Sequence, residues 1–260
     1  MSDLPAPSKE LGQHFLVDEN ILGVIERLAE LEPDDVVLEI GPGQGVLTAA
    51  LAGRVALVHA VELDRRLEAH LERRFGGTNV RLHFADALRL DPSELEPPPA
   101  KLVANLPYNV ATPIVVESLE RLPTLALWCV MVQREVADRF FAEPGTKAYG
   151  AVSVLVQLAT ERTGRHPVSR EVFRPRPNVD SALVAFRRRA ELPPDWRGLK
   201  GVVEGAFAHR RKRLPNSLEL AGVASRDRAE TALRTIGRPP TARAEELAPP
   251  EFVELASAVR

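Results

Sequence analysis

The chain has 260 residues, 45% of them hydrophobic, with 34 Lys+Arg against 36 Asp+Glu and a single cysteine, Cys129. That length holds one large domain, or a core domain with a small appendage, and one cysteine excludes an internal disulfide framework and a cysteine-based zinc site. No apolar run approaches the roughly 20 residues needed to span a bilayer, and Met1-Ser2-Asp3-Leu4 opens no signal peptide, so a soluble cytoplasmic protein with no membrane partner is expected.

Residues 19–31 place Ile21, Leu22, Ile25, Leu28, Ala29 and Leu31 at helical spacing, and Pro33-Asp34-Asp35 ends that helix. Val36 to Ile40 reads as a strand covered on both faces. The glycine-rich turn Gly41-Pro42-Gly43-Gln44-Gly45 leads into a helix over Val46 to Ala52. A second strand, Val55 to Val61, ends at Glu62. A helix follows from Arg65 to Phe75, then a third strand from Val80 to Phe84 that ends near Asp86. Beyond the linker Pro97-Pro98-Pro99, Lys101 to Ala104 forms a fourth strand and runs into Asn105-Leu106-Pro107-Tyr108. Ile114 to Leu122 reads as a helix and Leu125 to Val132 as a fifth strand, where Cys129 is expected to be a core thiol. Glu135 to Phe141 is again helical. This alternation predicts an α/β fold with a parallel, doubly wound sheet.

The pattern changes after Gly150. A helix is expected over Val152 to Ala159. Thr163 to Ser169 and Val179 to Arg187 pair as a hairpin around Phe173-Arg174-Pro175-Arg176-Pro177. From Trp196 only helical patterns remain, over 196–208, 211–221, 226–236 and 250–259. The expected division is an α/β domain over 1–190 and a small all-helical domain over 191–260. Charge is divided as well: residues 1–164 carry 15 Lys+Arg against 24 Asp+Glu, and residues 165–260 carry 19 against 12. A basic half on an acidic one suits a polyanionic partner as well as it suits a solvated Arg-rich surface.

Signals stand at four successive strand ends. The glycine turn after the first strand lets backbone approach a ligand closely. It lacks the Lys of a P-loop and the third glycine of the dinucleotide fingerprint, since Val46 stands there. The spacing suits S-adenosylmethionine, which carries no pyrophosphate. Glu62, ending the second strand, offers a carboxylate to two ribose hydroxyls, and Asp86, ending the third, offers an acceptor to an adenine amine. Asn105-Leu106-Pro107-Tyr108 ends the fourth: an amide, a stiffened turn with its carbonyls and an aromatic ring are suited to hold a planar base that bears an amino group.

With these residues in place the chain resembles the small-subunit ribosomal RNA adenine N6-dimethyltransferases, the 16S rRNA dimethyladenosine transferase type. The resemblance covers nearly the whole length. It runs through Gly12-Gln-His-Phe-Leu16, Glu39-Ile-Gly-Pro-Gly-Gln-Gly45, Val61-Glu-Leu-Asp64, Ala85-Asp-Ala87 and Asn105 to Pro113. It continues through Val132 to Val136, Ala148-Tyr-Gly150, Phe173 to Ala182 and Phe207 to Leu214. The large-subunit methyltransferases of the macrolide-resistance type look similar, but usually carry Ile at the Leu106 position. The resemblance implies a mostly parallel, seven-stranded Rossmann-like methyltransferase sheet. It also implies S-adenosylmethionine contacts at His14, Leu16, Gly41, Glu62, Asp86 and Asn105, with no metal. His14 stands where that family often has Asn. The usual basic, Phe-containing lead is Ser8-Lys9-Glu10-Leu11 here, and Pro215 interrupts the basic helix region.

The chemistry expected is methyl transfer to adenine N6, on two adjacent adenosines of a small-subunit rRNA hairpin, during ribosome small-subunit biogenesis. Asn105 and the Leu106 and Pro107 carbonyls would hold both N–H bonds and turn the lone pair toward the methyl. Tyr108 and Phe173 would grip the faces of an extruded base. Arg187, Arg188, Arg210, Arg211, Lys212 and Arg213 would meet the RNA backbone, positioning it without reading bases. The expected partner is small-subunit rRNA or a pre-assembled small subunit, bound by a monomer. Methylation of large-subunit RNA, and a non-catalytic RNA-binding assembly factor, are the competing readings.

Overall fold

The computed structural model describes residues 6–8, 11–189, 192–193 and 195–259. Lys9 and Glu10 of the atypical lead, and the boundary that the sequence sets at residues 190 and 191, lie outside the described residues. Contacts gather the chain into two compact units, Met1–Ala137 with Arg162–Arg188, and Asp138–Glu161 with Arg189–Arg260.

The chain begins with a two-residue strand, β1 (Phe15–Leu16), and α1 (Glu19–Ala29). Asp18 caps α1 by accepting the Asn20 N–H at 2.8 Å, which satisfies one of the orphan donors of the first turn. Ile21, Ile25 and Ala29 recur every four residues and form its buried stripe. The alternation read from the sequence follows: β2 (Val36–Ile40), α2 (Val46–Ala52), β3 (Leu57–Glu62), α3 (Glu68–Phe75), β4 (Val80–Phe84), β5 (Lys101–Asn105), α4 (Ala111–Arg121) and β6 (Leu127–Gln133). After α5 (Arg134–Phe140) and α6 (Ala151–Ala159) come β7 (Thr160–Val168), β8 (Phe173–Arg174) and β9 (Ser181–Arg188).

Seven strands form one sheet in the order β4-β3-β2-β5-β6-β9-β7. β2 to β6 pair in parallel, with Ile40 opposite Val61 and Asn105 opposite Met131. β9 joins β6 antiparallel, setting Gln133 opposite Ser181. The sheet is therefore mixed but mostly parallel. β8 leaves it and pairs antiparallel with β1, Leu16 facing Phe173. Every residue of β6 except Gln133 is buried, as a strand with both faces covered requires. Cys129 within it is fully buried, and burial pushes its thiol up to about 12. One buried layer unites Ile21, Ile25, Leu51, Val58, Val103 and Met131, and Phe173 belongs to it.

The second unit is helical: α6 with α7 (Trp196–Ala208), α8 (Leu214–Leu220), α9 (Arg226–Thr235) and α10 (Pro249–Ala258). Phe207 stacks on Phe252 at 5.7 Å and meets Tyr149 edge-on at 5.8 Å. The Tyr149 hydroxyl donates to the Leu247 carbonyl at 2.8 Å. The sequence assigns residues 138–161 to the sheet domain, whereas their contacts group them with these helices. Val154, Leu155 and Val156 are buried, and α6 packs on α7 and α10. No helix of the described residues is long and apolar enough to cross a membrane.

Candidate active site at the switch point of the sheet

β2 lies between β3 and β5, so the order of strands along the sheet reverses there. Open α/β sheets bind ligands in the crevice beyond the carboxyl ends of the strands at such a point. A cavity of about 220 Å³ opens there, lined by the arm Leu11–Leu16, the glycine loop, Glu62, Ala85–Leu88 and the turn Asn105–Val110.

The glycine loop comes close because it has no side chains to interpose. Gly43 and Gly45 adopt φ of +57° and +80°, which L side chains rarely adopt. A Cβ on Gly43 would stand 2.7 Å from the Phe15 ring. The loop is fastened to Glu62: the Gly43 N–H donates to Oε2 at 3.0 Å, and the Asp64 N–H donates to Oε1 at 2.8 Å. Each carboxylate oxygen retains a lone pair for another donor. Glu62 is 5% exposed, and burial raises its pKa while the Asp64 and Gly43 N–H groups oppose the rise.

Glu39 also faces the cavity and is 1% exposed. Its Oε2 has no hydrogen-bond partner. Burial raises its pKa to about 8, Thr48 opposes, and the Glu62 carboxylate adds to the rise. Asp86 is less covered. Its Oδ1 accepts the Leu88 N–H at 3.0 Å, and Arg89 lies 3.5 Å from Oδ2.

At the opposite end the Asn105 Nδ2 donates to the His14 carbonyl at 3.0 Å. That bond orients the amide and leaves Oδ1 as an acceptor. The Pro107 carbonyl accepts the Val110 N–H at 3.1 Å, closing the turn. The Tyr108 hydroxyl pairs with the buried Ser181 Oγ at 2.6 Å, and burial raises its pKa. Gln13 donates to Asp64 at 2.9 Å, and the Arg66 guanidinium holds Asp64 down at about 2.

The structure thus brings His14, Leu16, Gly41, Glu62, Asp86, Asn105, Leu106, Pro107 and Tyr108 around one cavity. Phe173 is absent from it. It is 0% exposed within the core, where β8 pairs with β1, so the structure does not bring it to the cavity with the other residues. Arg188 is half-buried. Its guanidinium donates to the Leu125, Leu119 and Leu122 carbonyls at 2.7, 3.1 and 3.1 Å and lies 5.1 Å from the Trp128 ring centroid. Leu119 lies in the last turn of α4, where carbonyls lack a partner within the helix, and Leu122 and Leu125 lie in the segment that follows it. Arg187 is exposed but ion-paired with Glu30. Arg210 pairs with Glu245 at 3.1 Å, and Arg211, Lys212 and Arg213 are exposed.

Sequence reasoning assigns no role to Glu39 or Ser181. Glu39 stands within the glycine motif, but a carboxylate inside an apolar strand is the only signal it gives. Ser181 gives none, because only the antiparallel insertion of β9 carries it to Tyr108.

The donor set fits a zwitterionic nucleoside. Glu62 keeps acceptors for two hydroxyls, the unpartnered Glu39 Oε2 suits an ammonium, and the cavity walls are largely apolar. Among the described residues no group of three His, Cys, Asp or Glu is placed to hold a metal.

The model of a family described as ribosomal RNA adenine dimethylase matches residues 7–254. The ribosomal RNA small subunit methyltransferase A of Rubrobacter xylanophilus is 52% identical over 252 residues, covering 96% of this chain and 94% of that protein. The crystal structure of a dimethyladenosine transferase from Plasmodium falciparum shares the fold with a TM-score of 0.77 at 22% identity, over 93% of this chain and 96% of that one. The 23S rRNA methyltransferase ErmE superposes with a TM-score of 0.65 at 31% identity, over 94% and 99%.

Proposed function

The chain belongs to the ribosomal RNA adenine dimethylase family, and on that premise we propose how its residues divide the work. It is an S-adenosylmethionine-dependent methyltransferase that acts on ribosomal RNA. Its reaction moves methyl groups to N6 of adenines in small-subunit rRNA, with two adjacent adenosines of one hairpin as the proposed targets. The bound cofactor supplies a methyl carbon made electrophilic by its sulfonium.

Glu62 accepts the ribose hydroxyls, Asp86 accepts from the adenine amine, and Gly41, the backbone at His14 and Leu16 close the cavity around the rest. The target amine is a poor nucleophile, because its lone pair is delocalised into the ring. Asn105 Oδ1 and the Leu106 and Pro107 carbonyls accept its two N–H bonds and turn the lone pair out of conjugation. Orientation of this kind contributes up to roughly 7–11 kcal/mol to a barrier. Tyr108, held by Ser181, offers one face for the flipped base, worth about 1–3 kcal/mol. The helical unit meets RNA phosphates through Arg211, Lys212 and Arg213. The working form is a cytoplasmic monomer that docks on small-subunit rRNA or a pre-assembled small subunit.

The observation that carries this reading is the Asn105 amide, pinned by the His14 carbonyl with its oxygen left to accept. Asn105→Ala is expected to abolish nearly all transfer of labelled methyl to small subunits while cofactor affinity falls far less. Near-normal turnover, or acceptance of methyl only by large subunits, would refute it.

A further inference from the structure

We propose that Arg121, which lies outside the cofactor cavity, positions Asp86: it clamps the turn after β4 to the end of α4 and so sets how strictly the site demands the 6-amino group of the methyl donor's adenine. This rests on the reading of Asp86 above.

β4 is an edge strand, paired with β3 alone. The ladder runs out where the Ala85 N–H donates to the Glu62 carbonyl at 3.0 Å, and Asp86 is the next residue. The turn that it opens is closed on itself. The Asp86 carbonyl accepts the Arg89 and Leu90 N–H groups, each at 2.9 Å, and Oδ1 accepts the Leu88 N–H at 3.0 Å. These bonds fix the shape of the turn but not its place in the molecule.

Its place is set from α4. Arg121 ends that helix. Its guanidinium donates through Nη1 to the Leu88 carbonyl at 2.6 Å and through Nη2 to the Leu90 carbonyl at 2.5 Å. One planar fork holds both carbonyls, so their spacing is fixed along with their distance from the helix. The donor is charged, which makes such bonds stronger than neutral ones. The Leu90 side chain is buried and anchors the turn as well, but it borders a second cavity of about 30 Å³, lined also by Leu38, Leu88, Leu95 and Arg121. Leu88 lines both cavities. The turn therefore lies between them and has room to settle once the guanidinium is removed, and Asp86 moves with it. A plain structural role, that of a cation in the last turn of a helix, predicts something else: it would weaken every ligand of the cavity alike, whereas the clamp acts on the one contact that Asp86 makes.

The probes are S-adenosylhomocysteine and its purine analogue that lacks the 6-amino group, titrated calorimetrically into the full-length protein. In wild type the amine should raise affinity about tenfold, the lower end for a hydrogen bond to a charged group, because Asp86 is partly open to solvent. Asp86→Ala should bring the ratio of the two affinities near one. Arg121→Met keeps most of the side-chain length and removes every donor. Its ratio should fall to about two, the loss of most of that one hydrogen bond, while the analogue binds as it does to wild type. Arg121→Lys keeps a single ammonium and should fall between wild type and Arg121→Met. An Arg121→Met protein that loses affinity for both probes equally, or that keeps the wild-type ratio, would overturn the proposal. Should Arg121→Met fail to fold, Arg121→Lys decides, and a wild-type ratio there overturns it. The two layers separate cleanly. A tenfold ratio that vanishes in Asp86→Ala but stands in Arg121→Met sinks only the clamp, whereas a wild-type ratio near one, or one that Asp86→Ala leaves untouched, sinks the reading of Asp86 beneath it.

Discussion

Glu39 is the residue whose surroundings conflict most with its ionised form. It is 1% exposed, its Oε2 is unpartnered, and burial lifts its pKa from an ordinary 4.5 to about 8. The folded state therefore binds this proton more tightly than the unfolded state. The stability linked to it is fully present below about pH 4.5 and is lost as pH rises through about 8. Glu39→Gln keeps the shape and removes the titration. Without cofactor, the variant and wild type should unfold alike near pH 5. The variant should be more stable at pH 8 by an amount on the order of 3 kcal/mol, since a tenfold change in proton affinity is worth about 1.4 kcal/mol. Denaturant unfolding at the two pH values reads this directly, and a gap that does not widen with pH would assign the conflict elsewhere. A ligand ammonium near Oε2 reverses the preference, because it favours the carboxylate. The same substitution should therefore weaken cofactor binding while it strengthens the empty protein.

At the scale of elements, the glycine loop joins two packing problems. A Cβ on Gly45 would stand 2.5 Å from the Phe75 ring, and that ring is buried with Leu67 and Leu71 in and before α3. A Cβ on Gly43 would meet Phe15 instead, and Phe15 sits on a strand of two residues. Gly45→Ala should cost about 2–6 kcal/mol of stability, since the left-handed backbone and the overpacking each carry a penalty of about 1–3 kcal/mol. Gly43→Ala should cost less stability and more cofactor affinity, because β1 yields and the cavity wall moves with it. Thermal unfolding and calorimetric binding of both variants separate the two, and a Gly45→Ala protein as stable as wild type would contradict the packing argument. The sequence shows these elements well wherever apolar period and breaker agree: β2, α2, β4 and α7 begin and end where their runs do. It fails where no local signal exists. α6 passes into β7 at Thr160 without Gly or Pro between them, so nothing in the run says that one belongs with the helices and most of the other with the sheet. α8 starts at Leu214, with Pro215 in its first turn, where a missing N–H costs nothing. The sequence pattern alone extends that helix back to 211. The places of the strand-end residues around the cavity are legible because they follow from chain order. Burial of Phe173 is not, because it depends on a pairing with β1 across more than 150 residues.

For the whole molecule, what decides RNA docking is which cations remain available, and the formal charge conceals this. The chain carries 34 Lys+Arg against 36 Asp+Glu, a balance that by itself repels nucleic acid slightly. Of the six cations that the sequence places on RNA, Arg188 is spent on carbonyls at and beyond the end of α4, Arg187 faces Glu30, and Arg210 faces Glu245. Arg211, Lys212 and Arg213 stand exposed on three consecutive residues before α8. Counterion release makes the logarithm of affinity fall linearly with the logarithm of salt, with a slope of roughly 0.7 to 0.9 per phosphate neutralised. Replacing all three by Gln should therefore lower that slope by about 2 to 3 and weaken binding of unrelated RNA and rRNA alike, since phosphate contacts carry no sequence information. Arg188→Gln should act differently. It should lower the melting temperature, because the Leu119 and Leu125 carbonyls lose the guanidinium and Leu122 keeps only the Leu125 N–H, and leave the salt slope where it was. Filter binding across a salt series, with thermal unfolding of the same samples, tests both. An unchanged slope in the triple variant would mean that RNA meets this protein on some other face, and a reduced slope in Arg188→Gln would return that guanidinium to the RNA surface.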